Sequence, residues 1–329
     1  MIRRVDDRLL WSGYPSAHDV EKVAREGVKL IVNLVDYSPG NAKYYKVARS
    51  LNVDVLAYPI KDFGFRPPED VHFHVLNTIL SVVQGGGLAL VHCEGGIGRS
   101  GTVVAMYLML RHGLGVEQAL SRVKSLGGGP ESYIQLLALE WYGRALSLLG
   151  SSGLDTVLGI GYNYDFGWGI DHASTVANIA CDIASQLGFN KKMLAELYIA
   201  GLLHDIGRAV ASDDKHHVKS AEIVMELKNA VGRYGDPEAI AFLLRNHRTE
   251  TDPRRDPLAN KLGQDYILLA SILRLADAFT DIYNEEGYLG VELRDRRIAI
   301  KASRADATRV ETKAQILKGL GYNIELEPI

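Results

Sequence analysis

The chain has 329 residues, 47% hydrophobic and 23% charged, with a formal net charge of −3 at pH 7. At roughly 150 residues per domain this is an ordinary globular composition for two domains, and it carries no global basic field with which to hold nucleic acid or an anionic membrane. No apolar run approaches the ~20 residues that span a bilayer, the N-terminus lacks the apolar core of a signal peptide, and the two cysteines, Cys93 and Cys181, cannot make a disulfide framework, so a reducing, cytoplasmic setting is expected.

Taken in chain order, residues 27–35 (GVKLIVNLV), 52–60 (NVDVLAYPI) and 87–93 (GLALVHC) are short β-branched runs that predict buried strands. Helical patterns fill the intervals (AHDVEKVAREG, AKYYKVARSL, DVHFHVLNTILSVVQGG) and follow the third strand (TVVAMYLMLRHG, VEQALSRVKS, YIQLLALEWYGRALSLL). Alternation of this kind predicts an α/β domain with a mostly parallel sheet over residues 1–150. Residues 151–170, rich in glycine and aromatics, predict an irregular linker. Residues 171–284 read almost throughout as helix, an all-α bundle. Residues 285–329 predict a small α/β appendage of hairpin, helix and strand. There is no internal repeat.

The first chemical signal is HCEGGIGRSGT, His92 to Thr102. A strand delivers Cys93, the glycines at 95, 96 and 98 let the backbone curl, Arg99 follows six residues after the cysteine, and an apolar helix begins near Thr102. A ring of N–H donors at a helix N-terminus suits a phosphate dianion. Its binding residues would be Glu94, Gly95, Gly96, Ile97, Gly98 and Arg99. The same field favours thiolate over thiol, which makes Cys93 a nucleophile, and the planar fork of Arg99 can hold two phosphate oxygens. The alternative is a buried structural cysteine. The bare Cys-to-Arg spacing is common; its combination with the strand, the glycines, Ser100 and the helix is not.

On these residues, 1–150 resembles the dual-specificity and protein tyrosine phosphatase superfamily, whose loop reads HCxxGxxR[ST]; WSGYPS, LIVNL and GPESYIQ look like that family too. The resemblance implies phosphate monoester hydrolysis through a phosphocysteine on Cys93, without a cofactor. The leaving oxygen must be protonated, and Asp62 in YPIKDFGF, 31 residues before Cys93 on a loop after a strand, stands where the family places its acid. Asp54 and Asp70 are weaker candidates, Asp70 because it is placed to cap a helix after Pro67-Pro68. Ser100 is expected to hydrogen-bond the sulfur and ease its departure. The loop lacks the lysines of inositide-directed relatives, which argues against highly phosphorylated inositols. The chain before it is short, which implies a shallow pocket open to phosphoserine, phosphothreonine and phosphotyrosine.

The second signal is His204-Asp205 at the end of AELYIAGLLHDIGR, with His172 lying 32 residues earlier and Asp277 72 residues after Asp205. His216, His217 and His247 fall between. Imidazoles and carboxylates on facing helices are how bundles build metal sites. The order H…HD…D resembles the HD-domain metallophosphohydrolases, and LLHDIGR…KSAEI…RNHR…LRLADAF with its tail resembles the C-terminal part of exopolyphosphatase and guanosine pentaphosphatase proteins, over 160–329. The resemblance implies that His172, His204, Asp205 and Asp277 hold one metal. His216, or His217 in its place, and His247 would complete a second, with Asp205 bridging. The ions would be one or two of Fe, Mn, Ni, Co or Zn. Arg208 stands where two-metal relatives have Lys and is a candidate for the substrate's phosphate. Cys181 is expected in the core, and Trp168 either packs a junction or forms a substrate platform.

Three enzymatic readings follow. One is a phosphohydrolase with two heads, acting on a phosphoprotein or a small phosphorylated metabolite, nucleotides and polyphosphate included. Another is a single active cysteine phosphatase regulated by a nucleotide- or polyphosphate-binding HD module. The third makes the HD site a diiron oxygenase. A non-enzymatic binding protein fits less well, because nucleophile, arginine and acid candidate are all present. Nothing in the sequence speaks to oligomeric state.

Overall fold

A computed structural model describes residues 1–280, 283, 287–303 and 305–327. The chain divides into two compact units, 1–144 and 145–329. The first is an α/β unit around a five-stranded sheet. The three strands expected from sequence are β3 (Val28–Asn33), β4 (Asp54–Ala57) and β5 (Leu88–His92); two shorter ones, β1 (Ile2–Arg4) and β2 (Leu9–Ser12), precede them. The sheet order is β1-β2-β5-β3-β4. Only the β1–β2 pair is antiparallel. β5 is therefore central, and the register sets His92 opposite both Ser12 and Asn33. A central parallel strand buried on both faces needs a continuous apolar run, which LALV supplies. The carboxyl ends of such strands are where open α/β sheets place their sites, and Cys93 is the next residue.

Helices α1 (Ala17–Arg25), α2 (Tyr45–Ser50) and α3 (Asn77–Gln84) surround the sheet, α1 being opened by a capping box between Ser16 and Asp19. After the cysteine loop, α4 (Gly98–His112) is buried from Gly98 to Met109. This is why its sequence is apolar all round, and it starts at Gly98, earlier than the apolar run at Thr102 suggested. Asp70 does not cap the turns before α3: it lies inside them, accepts from Arg66 at 3.0 Å and from the Tyr58 hydroxyl, and is buried. A buried carboxylate is satisfied by a cation and a phenol in preference to a cap. Helix α5 (Val116–Ser125) follows.

The stretch expected to be an irregular linker is largely helical. Helix α6 runs Tyr133–Asn163 with one non-helical residue, Gly150 (φ 66°, ψ 174°). Two glycines beyond it serve close packing: a Cβ on Gly161 would lie 2.0 Å from the Phe166 ring, and one on Gly153 2.7 Å from Tyr234. Composition alone cannot tell a glycine that turns the chain from one that admits a neighbour.

The second unit is a helical bundle: α7 (Ile170–Gln186), α8 (Lys191–Leu203), α9 (His216–Glu226), α10 (Pro237–Arg245) and α11 (Gln264–Ala276). Helix α8 packs on α7 and α10, α9 on α10, and α7 on α11. Cys181 is fully buried in α7. The unit ends in the expected appendage, a sheet of β6 (Tyr288–Arg294), β7 (Arg297–Ala302) and β8 (Asn323–Glu327) with α12 (Ala307–Lys313) and α13 (Gln315–Gly319). Helix α12 packs on α11. Among the described residues, no helix is long and apolar enough to cross a membrane.

Candidate active sites

Cys93 is buried directly after β5. Its Sγ lies 3.2 Å from the Gly96 N–H and 3.1 Å from Ser100 Oγ. An indole N–H can only donate, and Trp11 Nε1 donates to Ser100 Oγ at 2.8 Å. The hydroxyl hydrogen is thereby left for the sulfur. Two donors converge on the sulfur, an arrangement that steadies negative charge there. The loop is clamped from behind: Tyr14 N–H donates to the Glu94 carbonyl at 2.9 Å and Arg3 Nη1 to the Gly96 carbonyl at 2.8 Å. Gly96 has φ 71°, and a Cβ there would lie 2.3 Å from the Gly13 nitrogen, so the clamp requires glycine. Glu94, Gly95 and Ile97 form the exposed rim, while Gly96, Gly98, Arg99 and Ser100 are buried.

His92 fixes the peptide that carries the nucleophile. Its Nδ1 faces the Cys93 carbonyl at 3.1 Å and its Nε2 faces the Tyr44 hydroxyl at 2.5 Å. A carbonyl only accepts, so Nδ1 carries the proton and Nε2 accepts from Tyr44. Burial pushes the imidazole down to about 4. The folded unit keeps His92 neutral while the unfolded chain protonates it below about 6.5, so stability falls on acidification between those values, by roughly 1.4 kcal/mol per pH unit. Denaturant unfolding at pH 7 and pH 5 should therefore cost the wild type about 2 kcal/mol more than it costs His92→Gln. Equal losses in the two proteins would refute this role.

Asp62 is an exposed residue of the loop after β4, and its Oδ1 lies 3.0 Å from Arg99 Nη2. Arg99 Nη1 donates to the Ile60 carbonyl at 3.0 Å. One guanidinium thus ties the aspartate's loop to the cysteine loop. Asp54 is the exposed first residue of β4. Buried Gln135 accepts from Glu131 N–H at 2.9 Å and donates to the Gly64 carbonyl at 3.2 Å, so it holds the aspartate's loop from the far side. Sequence reasoning did not single out Trp11 or Gln135 individually; their only signal lay in the stretches WSGYPS and GPESYIQ.

In the second unit the predicted residues come together. His172 opens α7, His204 and Asp205 follow α8, His216 opens α9, His247 follows α10 and Asp277 follows α11. Gly207 makes the approach possible, since a Cβ there would lie 2.1 Å from the His216 carbonyl oxygen. Two groups of donors result, His172 with His204 and Asp277, and Asp205 with His216 and His247. Asp205 faces both: Oδ2 is 3.5 Å from His204 Nε2 and Oδ1 is 3.0 Å from His216 Nε2. His217, the alternative to His216, is half-buried and lies outside both groups.

The donor set fits a pair of divalent ions. His204, His216 and His247 each direct Nδ1 at a backbone carbonyl, at 2.8, 2.6 and 2.7 Å, so their Nε2 atoms present lone pairs inward. The Nε2 atoms of His172 and His204 are 3.2 Å apart, as are those of His216 and His247. Imidazole lone pairs held that close repel unless a cation accepts them. Burial pushes His204 down to about 4, against the pull of Asp205. For Asp205, burial works against ionisation, but His204, His216 and His247 outweigh it and hold the carboxyl well below the usual range. For Asp277, burial again opposes the charge, and His172 and Lys313 outweigh it. Imidazoles and carboxylates gathered in one buried cluster are the ligand chemistry of transition metals.

A cleft of about 370 Å³ opens on this centre. Arg208 Nε lies 2.8 Å from Asp205 Oδ2, and its guanidinium sits 4.7 Å over the Trp168 ring. Trp168 is 58% exposed at the rim of the cleft. Arg248, Arg309 and Lys313 also line the cleft. Sequence reasoning missed these three. Arg248 adjoins His247 in RNHR, whereas nothing in the sequence ties 309 and 313 to a site built more than thirty residues earlier.

Residues 8–133 match the family model described as "Swiss Army Knife protein, DSP-PTPase phosphatase domain", and residues 169–281 match the HD domain. The 067L protein of Invertebrate iridescent virus 3 is 31% identical over 123 residues, 36% of this chain and 50% of that protein. Ribonuclease Y of Finegoldia magna is 25% identical over 179 residues, 48% of this chain and 32% of that protein. Among solved structures, Tk-PTP in its active form is 31% identical, matching 43% of this chain and 95% of its own, with a TM-score of 0.39. The chain spans half the length, or less, of these two curated relatives.

Proposed function

This chain joins a DSP-PTPase phosphatase domain to an HD domain, and we infer that it is a phosphohydrolase with two heads. The observation that carries the reading for the first head is the contact of Asp62 with Arg99 of the cysteine loop, the loop whose Cys93 sulfur is doubly hydrogen-bonded. The Cys93 thiolate attacks phosphorus, the S–P bond forms as the ester P–O bond breaks, and Asp62 gives its proton to the leaving oxygen. Arg99 holds the phosphoryl oxygens. Water then attacks the phosphocysteine, Asp62 takes its proton, and the sulfur leaves with Ser100 hydrogen-bonded to it. Asp62→Asn should lower kcat by about 10²-fold or more on phosphoserine peptides, whose alkoxide needs the proton. The loss should be far smaller on p-nitrophenyl phosphate, whose phenolate leaves unaided. Steady-state kinetics on the two substrates check this, and equal losses would remove Asp62 from the acid's role.

In the HD head, bound divalent ions would supply Lewis-acid polarisation and an activated water. His172, His204 and Asp277 would hold one, and His216 and His247 the other. Asp205 would stand between them, and Arg208 would steady a substrate oxygen from the rim. Fe, Mn, Ni, Co and Zn all suit this ligand set. The four cations among the residues that line the cleft favour phosphate chemistry over a diiron oxygenase. They also support a second reading, in which a nucleotide or polyphosphate stacked near Trp168 regulates one active cysteine head. EDTA-sensitive turnover would exclude that second reading. Substrates are a phosphoprotein or a small phosphorylated metabolite, and a reducing cytoplasm suits the free Cys93 thiol.

A further inference from the structure

The HD match ends at residue 281, yet two of the cations that line the cleft come from beyond it. Arg309 and Lys313 stand four residues apart on α12, which places them on one helix face. Arg309 Nη2 donates to the Asp277 carbonyl at 2.5 Å and lies 3.2 Å from its Oδ1, while Lys313 Nζ pairs with Oδ2. The other two cations of the cleft have carboxylates outside the metal-ligand groups: Arg208 pairs with Asp213, and Arg248 with Asp213 and Glu250. Asp277 is different, because its Oδ1 also lies 3.3 Å from His172 Nε2, within a metal-ligand group. A carboxylate that serves a divalent ion cannot also neutralise two side-chain cations. Lys313 is nearly buried, with 11% of its side chain exposed, so its charge needs an anionic partner.

The overall balance points the same way. Four cations and four carboxylates line the cleft, so two divalent ions would leave it with an excess of about four positive charges. That is far more than a phosphodiester monoanion neutralises, and it suits a terminal phosphomonoester or a phosphoanhydride.

Resting on the two-ion reading of the HD head, we propose that the C-terminal appendage completes this site: Arg309 and Lys313 form the wall that receives a phosphate group of a substrate bearing two or more negative charges. They are specificity-determining residues, and they select polyanionic phosphates over diesters.

The test uses the full chain with Arg99→Ala, so that the cysteine loop does not compete for phosphate. The protein is loaded with Mn²⁺ and titrated calorimetrically with pyrophosphate and with diethyl phosphate. Arg309→Gln/Lys313→Gln should weaken pyrophosphate binding about 10- to 100-fold, the effect of losing charge-assisted hydrogen bonds. Diethyl phosphate should change by less than about threefold, because a monoanion makes fewer such bonds. Arg309→Lys/Lys313→Arg should keep most of the affinity, which separates lost charge from lost fold. Bound metal, measured by elemental mass spectrometry, should be at least the wild-type amount in the Gln variant, since cations beside Asp277 oppose metal. Pyrophosphate affinity unchanged in a Gln variant that holds its metal would overturn the proposal while leaving the two-ion reading intact. A wild type that binds no metal would overturn the reading, and the proposal with it, before any titration.

Discussion

Cys93→Ser should reduce hydrolysis of p-nitrophenyl phosphate in EDTA by roughly 10⁴-fold or more, the scale of losing a covalent nucleophile. The geometry makes the argument specific. The groups that touch the sulfur, the Gly96 N–H and the Ser100 hydroxyl, are both placed to donate. A serine in that position would find donors where it needs a base to take its proton, whereas a thiol there can act as the thiolate. The substitution is nearly isosteric at a buried position, so folding should survive and phosphate should still bind to the loop and Arg99. Activity in EDTA above about a hundredth of wild type would remove Cys93 from the nucleophile's role.

Asp205→Ala should take the metal content from about two ions per chain to almost none. Among the described residues it is the only one whose two carboxylate oxygens face both pairs of imidazoles, Oδ2 toward His204 and Oδ1 toward His216. Losing an outer-shell partner costs a metal site about 10- to 100-fold in affinity, and losing the shared ligand should cost more. Bound metal also stabilises the folded state by mass action, so the variant's melting temperature should fall and stop responding to added Mn²⁺. Elemental mass spectrometry of desalted protein reads the first effect and thermal melting the second. Retention of both ions by Asp205→Ala would mean that the histidine pairs do not form one centre.

Much of this was legible in the sequence because its chemistry is local or strongly patterned. Cys93, Arg99 and Ser100 lie in one loop, and a β-branched run leads into it. The six HD residues are far apart, but each stands at a helix end that the apolar periodicity marks, so their order survives as a pattern. What was not legible depends on packing across distance. Trp11 orients Ser100 from a four-residue strand too short to show a period. Gln135 reaches the Gly64 carbonyl across 71 residues. Gly153 and Gly161 looked like turn formers and instead admit Tyr234 and Phe166. Arg309 and Lys313 lie on a helix more than thirty residues after Asp277, and only the placement of α12 against α11 brings them to it.

The measurement that tests the two-headed account most directly is one phosphate-release panel, run with and without EDTA on wild type, Cys93→Ser and Asp205→Ala. The panel should contain phosphopeptides, nucleotides, cyclic nucleotides, dinucleoside polyphosphates and polyphosphate. The account predicts a double dissociation. Cys93→Ser should lose the EDTA-resistant turnover and keep the EDTA-sensitive turnover, and Asp205→Ala should do the reverse. A single activity abolished by both substitutions, or no EDTA-sensitive turnover on any substrate, would contradict it.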